Sequence, residues 1–159
     1  MAFDLSQLTP EKIEEAAKSF AEMGTIRELK GITDAEMEAI YSMGYSLYNT
    51  GRYDDAETVF RFLVLFDHQN PRYWIGLGAV QQVKKQYGDA VTSYGYASLL
   101  DLDNPKPQYY AAECFLALGD KENTLSALAA LEEFCPKDTE LGREYLGKAA
   151  TLKAMAEKA

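Results

Sequence analysis

The 159-residue sequence is poor in the residues that build metal sites, with one histidine and two cysteines. His68 and the widely separated Cys114 and Cys135 match no familiar zinc spacing, so we predict no metal site and two buried, reduced thiols. No apolar run approaches the roughly 18 residues that a membrane helix needs. The first residues also lack the basic and apolar regions of a secretory signal. These absences favour a protein of the cytoplasm.

Positive charge is scarce as well, because 16 Lys and Arg stand against 25 Asp and Glu, for a formal net charge of -9. Nucleic acids and anionic membranes bind basic patches, so neither is expected as a partner. The sequence has no phosphate-binding loop, no dinucleotide glycine motif and no nucleophile placed beside His68. We therefore expect no catalytic residue, no metal and no cofactor, and a protein that binds other proteins rather than an enzyme.

Between residues 37 and 136 the sequence nearly repeats itself every 34 residues. The period aligns four sets of small or large apolar positions: Gly44, Gly78 and Ala112; Ala56, Ala90 and Thr124; Phe60, Tyr94 and Leu128; Leu63, Ala97 and Leu131. This pattern is typical of tetratricopeptide repeats, helix–turn–helix units that stack into a curved solenoid. We predict an all-α solenoid that forms one domain over 1–159 and binds peptides on its concave face.

Local signals divide this solenoid into segments. Thr9 and Pro10 begin an N-terminal helix over 9–24, whose apolar stripe must pack on the solenoid, on a second copy of the chain, or on both. A linker over 25–31 follows, and then a capping box formed by Thr33 and Glu36. The three predicted repeats cover 37–70, 71–104 and 105–136. A capping helix over 138–157 is expected to cover the apolar side of the last repeat.

The first helix of the first repeat carries more aromatic surface than packing requires. Its inward face is assigned to Ile40, Met43, Gly44 and Leu47. Tyr41, Tyr45 and Tyr48 form a second stripe at i, i+4 and i+7, which in this repeat geometry points into the groove. Tyrosine suits a wet peptide-binding surface because a large rigid ring carries a polar tip. The alternative is that the stripe belongs to the core or packs beneath the N-terminal helix.

Equivalent offsets in the other two repeats extend the predicted groove. The candidate peptide-binding residues are Tyr41, Tyr45, Tyr48, Asn49, Arg72, Ile75, Ala79, Gln82, Tyr109, Glu113 and Leu116, with Val83, Lys106 and Ala117 at neighbouring offsets. Such a groove is aromatic at one end, small and apolar in the middle and mixed at the other end. It suits an extended peptide with spaced apolar anchors. Repeat proteins that grip a C-terminal carboxylate use Lys, Asn and Arg at these places, so that class of receptor is not expected.

Three runs of the sequence, at 41–61, 73–79 and 111–120, resemble the class II chaperones of bacterial type III secretion. The resemblance covers nearly the whole chain and includes the tyrosines that packing does not require. It implies a chaperone without ATPase activity that keeps hydrophobic translocator proteins soluble by holding an extended segment near their N-terminus. It assigns pocket-forming aromatic side chains to Tyr41, Tyr45 and Tyr48.

The same resemblance implies a homodimer formed through the N-terminal region and, for some members, assistance to a transcriptional activator. The alternative function is a tetratricopeptide scaffold or regulatory adaptor that organises folded partners through the groove or the convex face.

Overall fold

The computed structural model describes residues 9–158, except for the side chains of Ile13, Ala16, Ala17, Phe20 and Ala21. Within that part of the chain every regular element is a helix, which confirms the all-α prediction. The nine helices described are α1 (Pro10–Ala21), α2 (Ile26–Lys30), α3 (Asp34–Asn49), α4 (Tyr53–Phe66), α5 (Pro71–Val83), α6 (Tyr87–Leu100), α7 (Pro105–Ala117), α8 (Lys121–Phe134) and α9 (Glu140–Lys158).

The six helices from α3 to α8 form three consecutive helix–turn–helix pairs. Their second helices begin at Tyr53, Tyr87 and Lys121, so the 34-residue period of the sequence is also the period of the structure. Each pair packs against the next, and α9 packs against α7 and α8 at the end of the array. This arrangement places the first helices α3, α5 and α7 on one side of the solenoid.

Helix starts follow the local signals of the sequence. The capping box of Thr33 and Glu36 is present at the start of α3, as predicted. Asn70 and Asn104 cap α5 and α7, where each side chain accepts a hydrogen bond from the backbone N–H two residues on. A proline occupies the first turn of both helices, where its missing N–H costs no hydrogen bond.

The tight turn inside each repeat uses a left-handed residue at the same offset. Gly51 and Gly119 have φ of 77° and 74° in the first and third repeats. In the second repeat the equivalent residue is Lys85, with φ of 61°. A side chain in this region is strained by contact with its own backbone, and the close match of the three angles shows that the repeat packing imposes the turn.

The segment predicted as a linker over 25–31 contains a short helix, α2, so that prediction is wrong. Thr25 and Glu28 form a capping box, and Gly31 ends the helix in the left-handed conformation. Arg27 then fixes α2 to the repeats, because it donates to the backbone of Ile32 and at 3.1 Å to the buried carboxylate of Asp67. An isolated five-residue helix is unstable in water, and these tertiary contacts stabilise it.

Aromatic rings packed against glycine join successive helices in the core. A Cβ atom added at Gly76 of α5 would lie 2.2 Å from the ring of Phe60, and one added at Gly44 of α3 would lie 3.3 Å from it. A Cβ atom at Gly78 would lie 2.7 Å from the ring of Tyr94. Both rings are almost fully buried. Glycine at these positions therefore allows the helices to approach closely.

Two residues assigned to buried faces are exposed. Met43 is 50% exposed because it lies at the edge of the stripe on α3 that is centred on Met37 and Gly44. Leu141 is 38% exposed in the first turn of α9, whereas the later members of its predicted face are buried: Tyr145, Ala149, Leu152 and Ala156.

The apolar stripe predicted for the N-terminal helix lies outside the described side chains, although the backbone of α1 runs beside α6. Both cysteines are buried and free, as predicted, and burial raises the pKa of the Cys114 thiol to about 12.

Stability should respond in opposite ways to alanine at two helical glycines. Gly76→Ala should lower the free energy of unfolding by about 1–3 kcal/mol because the new methyl group collides with the buried ring of Phe60. Gly147→Ala should raise it by about 0.5–1 kcal/mol, since nothing lies within 4 Å of the new Cβ and alanine favours the helix. Urea denaturation followed by circular dichroism measures both, and equal effects would contradict the packing described.

Candidate functional site

A cavity of about 1040 Å³ opens along the first helices of the repeats. We call it the groove, and its described lining residues are Tyr45, Tyr48, Ile75, Ala79, Gln82, Val83, Tyr87, Tyr94, Lys106, Tyr110, Glu113, Leu116, Ala117 and Leu152. Most come from α3, α5 and α7, and most are aromatic or aliphatic. A cavity of this size and lining can hold several residues of an extended peptide.

Seven of the predicted peptide-binding residues line the groove: Tyr45, Tyr48, Ile75, Ala79, Gln82, Glu113 and Leu116. They come from three different helices, so the fold brings together positions up to 71 residues apart in sequence. Four predicted residues do not line it: Tyr41, Asn49, Arg72 and Tyr109.

Tyr41 is half-buried and packs against the core of the first repeat. Its ring centroid lies 5.9 Å from that of Phe60 and 5.8 Å from that of Tyr73, in edge-on and tilted contacts. The guanidinium of Arg72 covers the outer face of the ring at 4.3 Å and also hydrogen-bonds Glu38 at 3.1 Å. For this tyrosine these contacts favour the alternative left open by the sequence, packing against the core.

Tyr109 is covered by the last helix rather than open to the groove. Its ring contacts those of Tyr110 and Tyr145, with centroids 5.7 Å and 5.4 Å away. Burial is the main reason that the pKa of Tyr109 rises to about 12, and the carboxylate of Glu113 adds to it. Asn49 is exposed at the last position of α3 and is not in the lining.

The remaining two tyrosines of the stripe form the aromatic end of the groove. Tyr45 is 55% exposed, so its ring is available to a ligand without rearrangement. Tyr48 is half-buried and packs edge-on against Tyr53, with centroids 5.7 Å apart. Burial raises the pKa of Tyr48 further above neutral pH, where a tyrosine hydroxyl is already protonated. This end offers apolar ring surface together with hydroxyl groups.

A polar chain of three side chains crosses the middle of the groove. The Tyr94 hydroxyl donates to Oε1 of Gln82 at 2.7 Å, and Nε2 of Gln82 donates to Glu113 at 3.1 Å. Burial raises the pKa of Tyr94 far above its ordinary value, so this hydroxyl remains a donor. The chain fixes the orientation of the Gln82 amide and thereby holds the carboxylate of Glu113 towards the cavity.

Four lining residues were absent from the sequence prediction: Tyr87, Tyr94, Tyr110 and Leu152. Tyr94 had a usable signal, because its repeat partner is Phe60 and a buried hydroxyl needs a hydrogen-bond partner. Leu152 had none, since it comes from α9, which the sequence indicates only as a cap. The capping helix thus also completes one end of the groove.

A second cavity, of about 500 Å³, lies on the opposite face of α7. Its lining comes from α6, α7 and α8 and is rich in small residues such as Gly95, Ala127 and Ala130, and Pro10 of α1 also lines it. The groove is the better candidate site because it combines aromatic anchors with oriented polar groups and is twice as large.

Two other features of the described residues bear on function. No group of His, Cys, Asp or Glu side chains among them is arranged to hold a metal ion. None of the helices they form is both long enough and apolar enough to cross a membrane.

The single tryptophan, Trp74, lies outside the groove lining: its Nε1 donates to the backbone of His68 at 2.8 Å, and the centroid of its ring lies 4.5 Å from that of Tyr96.

Comparison with protein families gives a match to the tetratricopeptide repeat at residues 37–70 and 71–104. A curated relative, the low calcium response locus protein H of Yersinia pestis, is 37% identical over 117 residues, which cover 74% of this chain and 70% of the relative.

Two solved structures share the architecture described above. A type III secretion complex from Aeromonas hydrophila superposes with a TM-score of 0.80 at 29% identity, over 93% of this chain and 96% of that chain. The type III secretion chaperone SycD of Yersinia enterocolitica, in complex with a peptide of the translocator YopD, gives a TM-score of 0.73 at 31% identity, over 79% of this chain and 95% of that one.

The different positions of the stripe tyrosines predict different mutant stabilities. Tyr41→Ala should lower the free energy of unfolding by about 2–4 kcal/mol, because it leaves a cavity between Phe60 and Tyr73. Tyr45→Ala should change it by less than about 0.5 kcal/mol, since that ring is largely in solvent. Urea denaturation checks both values. A stable Tyr41→Ala protein would return this residue to the list of groove candidates.

Proposed function

This chain belongs to the translocator chaperones of bacterial type III secretion, and on that premise we propose that its groove holds an extended segment of a hydrophobic translocator protein. The observation that carries the proposal is the groove itself, a preformed cavity of about 1040 Å³ with tyrosine rings at one end and aliphatic side chains along its length. The family is not enzymatic, so the work of this protein is binding.

The chemistry of the client explains why such a groove is useful. A translocator must later enter a membrane, so it carries apolar surface that aggregates in water when nothing covers it. Ile75, Ala79 and Leu116 offer aliphatic contacts for spaced apolar anchors, and the ring of Tyr45 offers a rigid surface beside them. Because the groove is built into a folded solenoid, binding orders the client but not the chaperone.

No nucleotide cycle is needed for this role. The client can be released by competition when the secretion machinery withdraws it, so we propose a chaperone that acts in the cytoplasm without ATP. The net charge of -9 keeps the loaded complex soluble by repulsion between copies. The second candidate, an adaptor for folded partners, would use an exposed surface rather than a cavity that fits an extended chain.

We further propose that the N-terminal region forms a homodimer contact. Met23 is 56% exposed just after α1, and Leu29 of α2 is 86% exposed. Ile26 is a third, at 36% exposure, and such a grouping of exposed apolar side chains within seven residues supports an interaction surface. The contact of Arg27 with Asp67 holds α2 in place without a partner.

A coexpression experiment tests the chaperone role. A hydrophobic translocator encoded beside this chain should be largely insoluble alone and soluble with the wild-type protein. Tyr45→Glu should lower the soluble fraction several-fold, because it places a charge on the aromatic anchor of the groove. Met155→Glu is the matched control, since Met155 is equally exposed at 55% but does not line the groove. Depletion of ATP from the lysate should change nothing.

Two outcomes would contradict the proposal. A translocator that stays soluble without this chain does not need a chaperone. Equal loss of solubility with Tyr45→Glu and Met155→Glu would move binding away from the groove and favour the adaptor function.

The dimer contact has a separate test. Light scattering over a dilution series should show a dimer that dissociates, and Leu29→Glu should shift the midpoint to at least about tenfold higher protein concentration, as expected for a loss of about 1.4 kcal/mol. Leu118→Glu, at an exposed leucine on the far side of the array, is the control. A wild-type protein that is monomeric at every concentration, or a Leu29→Glu variant with unchanged dissociation, would refute the contact.

A further inference from the structure

The groove contains two charged side chains among its described lining residues, Lys106 and Glu113. The other lining residues are aromatic, aliphatic or, at Gln82, an amide. No salt bridge joins either charge to another residue of the described part of the chain. Both side chains are half-buried, so water solvates them before a ligand arrives. A bound apolar segment that displaced this water without supplying opposite charges would leave them unpaired, which is costly.

The groups around Glu113 orient its carboxylate without neutralising it. Gln82 donates an amide N–H to it at 3.1 Å, and Gln82 is itself held by Tyr94. These donors carry no net charge. The cation of α9 to consider is Lys148, whose pKa is raised. The main cause is the hydrogen bond to Glu144, which lies 2.6 Å from the Lys148 ammonium, and the charge of Glu113 adds only slightly. The Lys148 ammonium is therefore already paired.

The spacing of the two charges matches an extended ligand. Lys106 and Glu113 are seven residues apart on α7, so they share one face of the helix at a separation of about 10.5 Å along its axis. A peptide in the extended polyproline II conformation has three residues per turn and advances about 3.1 Å per residue, so side chains three residues apart lie on one side of it, about 9 Å from each other and close to this separation. The order of the two charges along α7 also distinguishes one direction of the bound chain from the other.

We propose that the groove selects its client by charge as well as by apolar anchors. Glu113 pairs with a Lys or Arg side chain of the client, and Lys106 pairs with an Asp or Glu about three residues away. This inference rests on the proposed function, because it names the chemistry of the segment that the groove binds. The opposite charges fix the register and direction of that segment, while the tyrosine and aliphatic surfaces bind its apolar anchors.

A random 12-residue peptide library displayed on phage tests the inference without a known client. The library is selected on the wild-type protein, on Glu113→Gln and on Glu113→Lys. Glu113→Gln keeps an oxygen acceptor for Gln82 and removes only the charge, and Glu113→Lys inverts it. Glu122→Gln, an exposed residue of α8 outside the groove lining, controls for the change in net charge. Circular dichroism confirms that each variant is folded.

Wild-type protein and Glu122→Gln should enrich peptides with spaced apolar residues, a Lys or Arg, and an acidic residue about three positions away that lies on the same side of the Lys or Arg in every enriched peptide. Glu113→Gln should keep the apolar pattern and lose the Lys or Arg. Glu113→Lys should enrich an acidic residue in its place. For one selected peptide, replacing that Lys by norleucine should weaken binding to the wild type roughly tenfold and leave binding to Glu113→Gln unchanged.

The outcomes separate this inference from the proposed function. Apolar peptides without enrichment of Lys or Arg, or the same enrichment on Glu113→Gln, would overturn the charge selection and leave the groove proposal intact. Selected peptides that bind Tyr45→Glu as well as they bind the wild type would place binding outside the groove and overturn both.

Discussion

The contact between an aromatic ring and a glycine backbone sets the spacing of the helices in the first two repeats, and the groove depends on that spacing. Phe60 of α4 lies against Gly44 of its own repeat and Gly76 of the next, so one ring determines how closely three helices approach. Tyr94 repeats the arrangement one period later against Gly78, and its ring also contacts Tyr110 of α7. Because the groove is the space along α3, α5 and α7, its width follows from these contacts. A core interaction thus controls the shape of the binding site.

Much of the fold was predictable because the signals that determine it are local or periodic. The prolines after Asn70 and Asn104 and the capping box at Thr33 act within one helical turn, so the starts of these helices could be read directly. The linker prediction missed two local signals of α2, the capping box of Thr25 and Glu28 and the terminal Gly31. A five-residue helix is still unstable by itself, and the contact of Arg27 with a carboxylate forty residues away stabilises it. That contact has no periodic signature.

The groove was predictable only where position on a helix decides exposure. Ile75, Ala79 and Gln82 lie on one face of α5 and line the cavity as their offsets predict. Tyr41 shares a stripe with Tyr45, yet its ring packs against Phe60 and Tyr73. Helical spacing predicts which way a side chain points but not which residues of other helices contact it. The position of α9 decides that Tyr109 is covered and that Leu152 lines the groove, and this position is determined by non-local packing.

The position of Trp74 determines what intrinsic fluorescence reports in this protein. Its indole donates to the backbone of His68 and makes a tilted ring contact with Tyr96, at the junction of the first and second repeats and outside the groove lining. Its emission therefore senses separation of these two repeats rather than occupancy of the groove. Because the chain has one tryptophan, a shift of its emission on heating reports the separation of the first and second repeats. Far-ultraviolet circular dichroism instead averages over all helices.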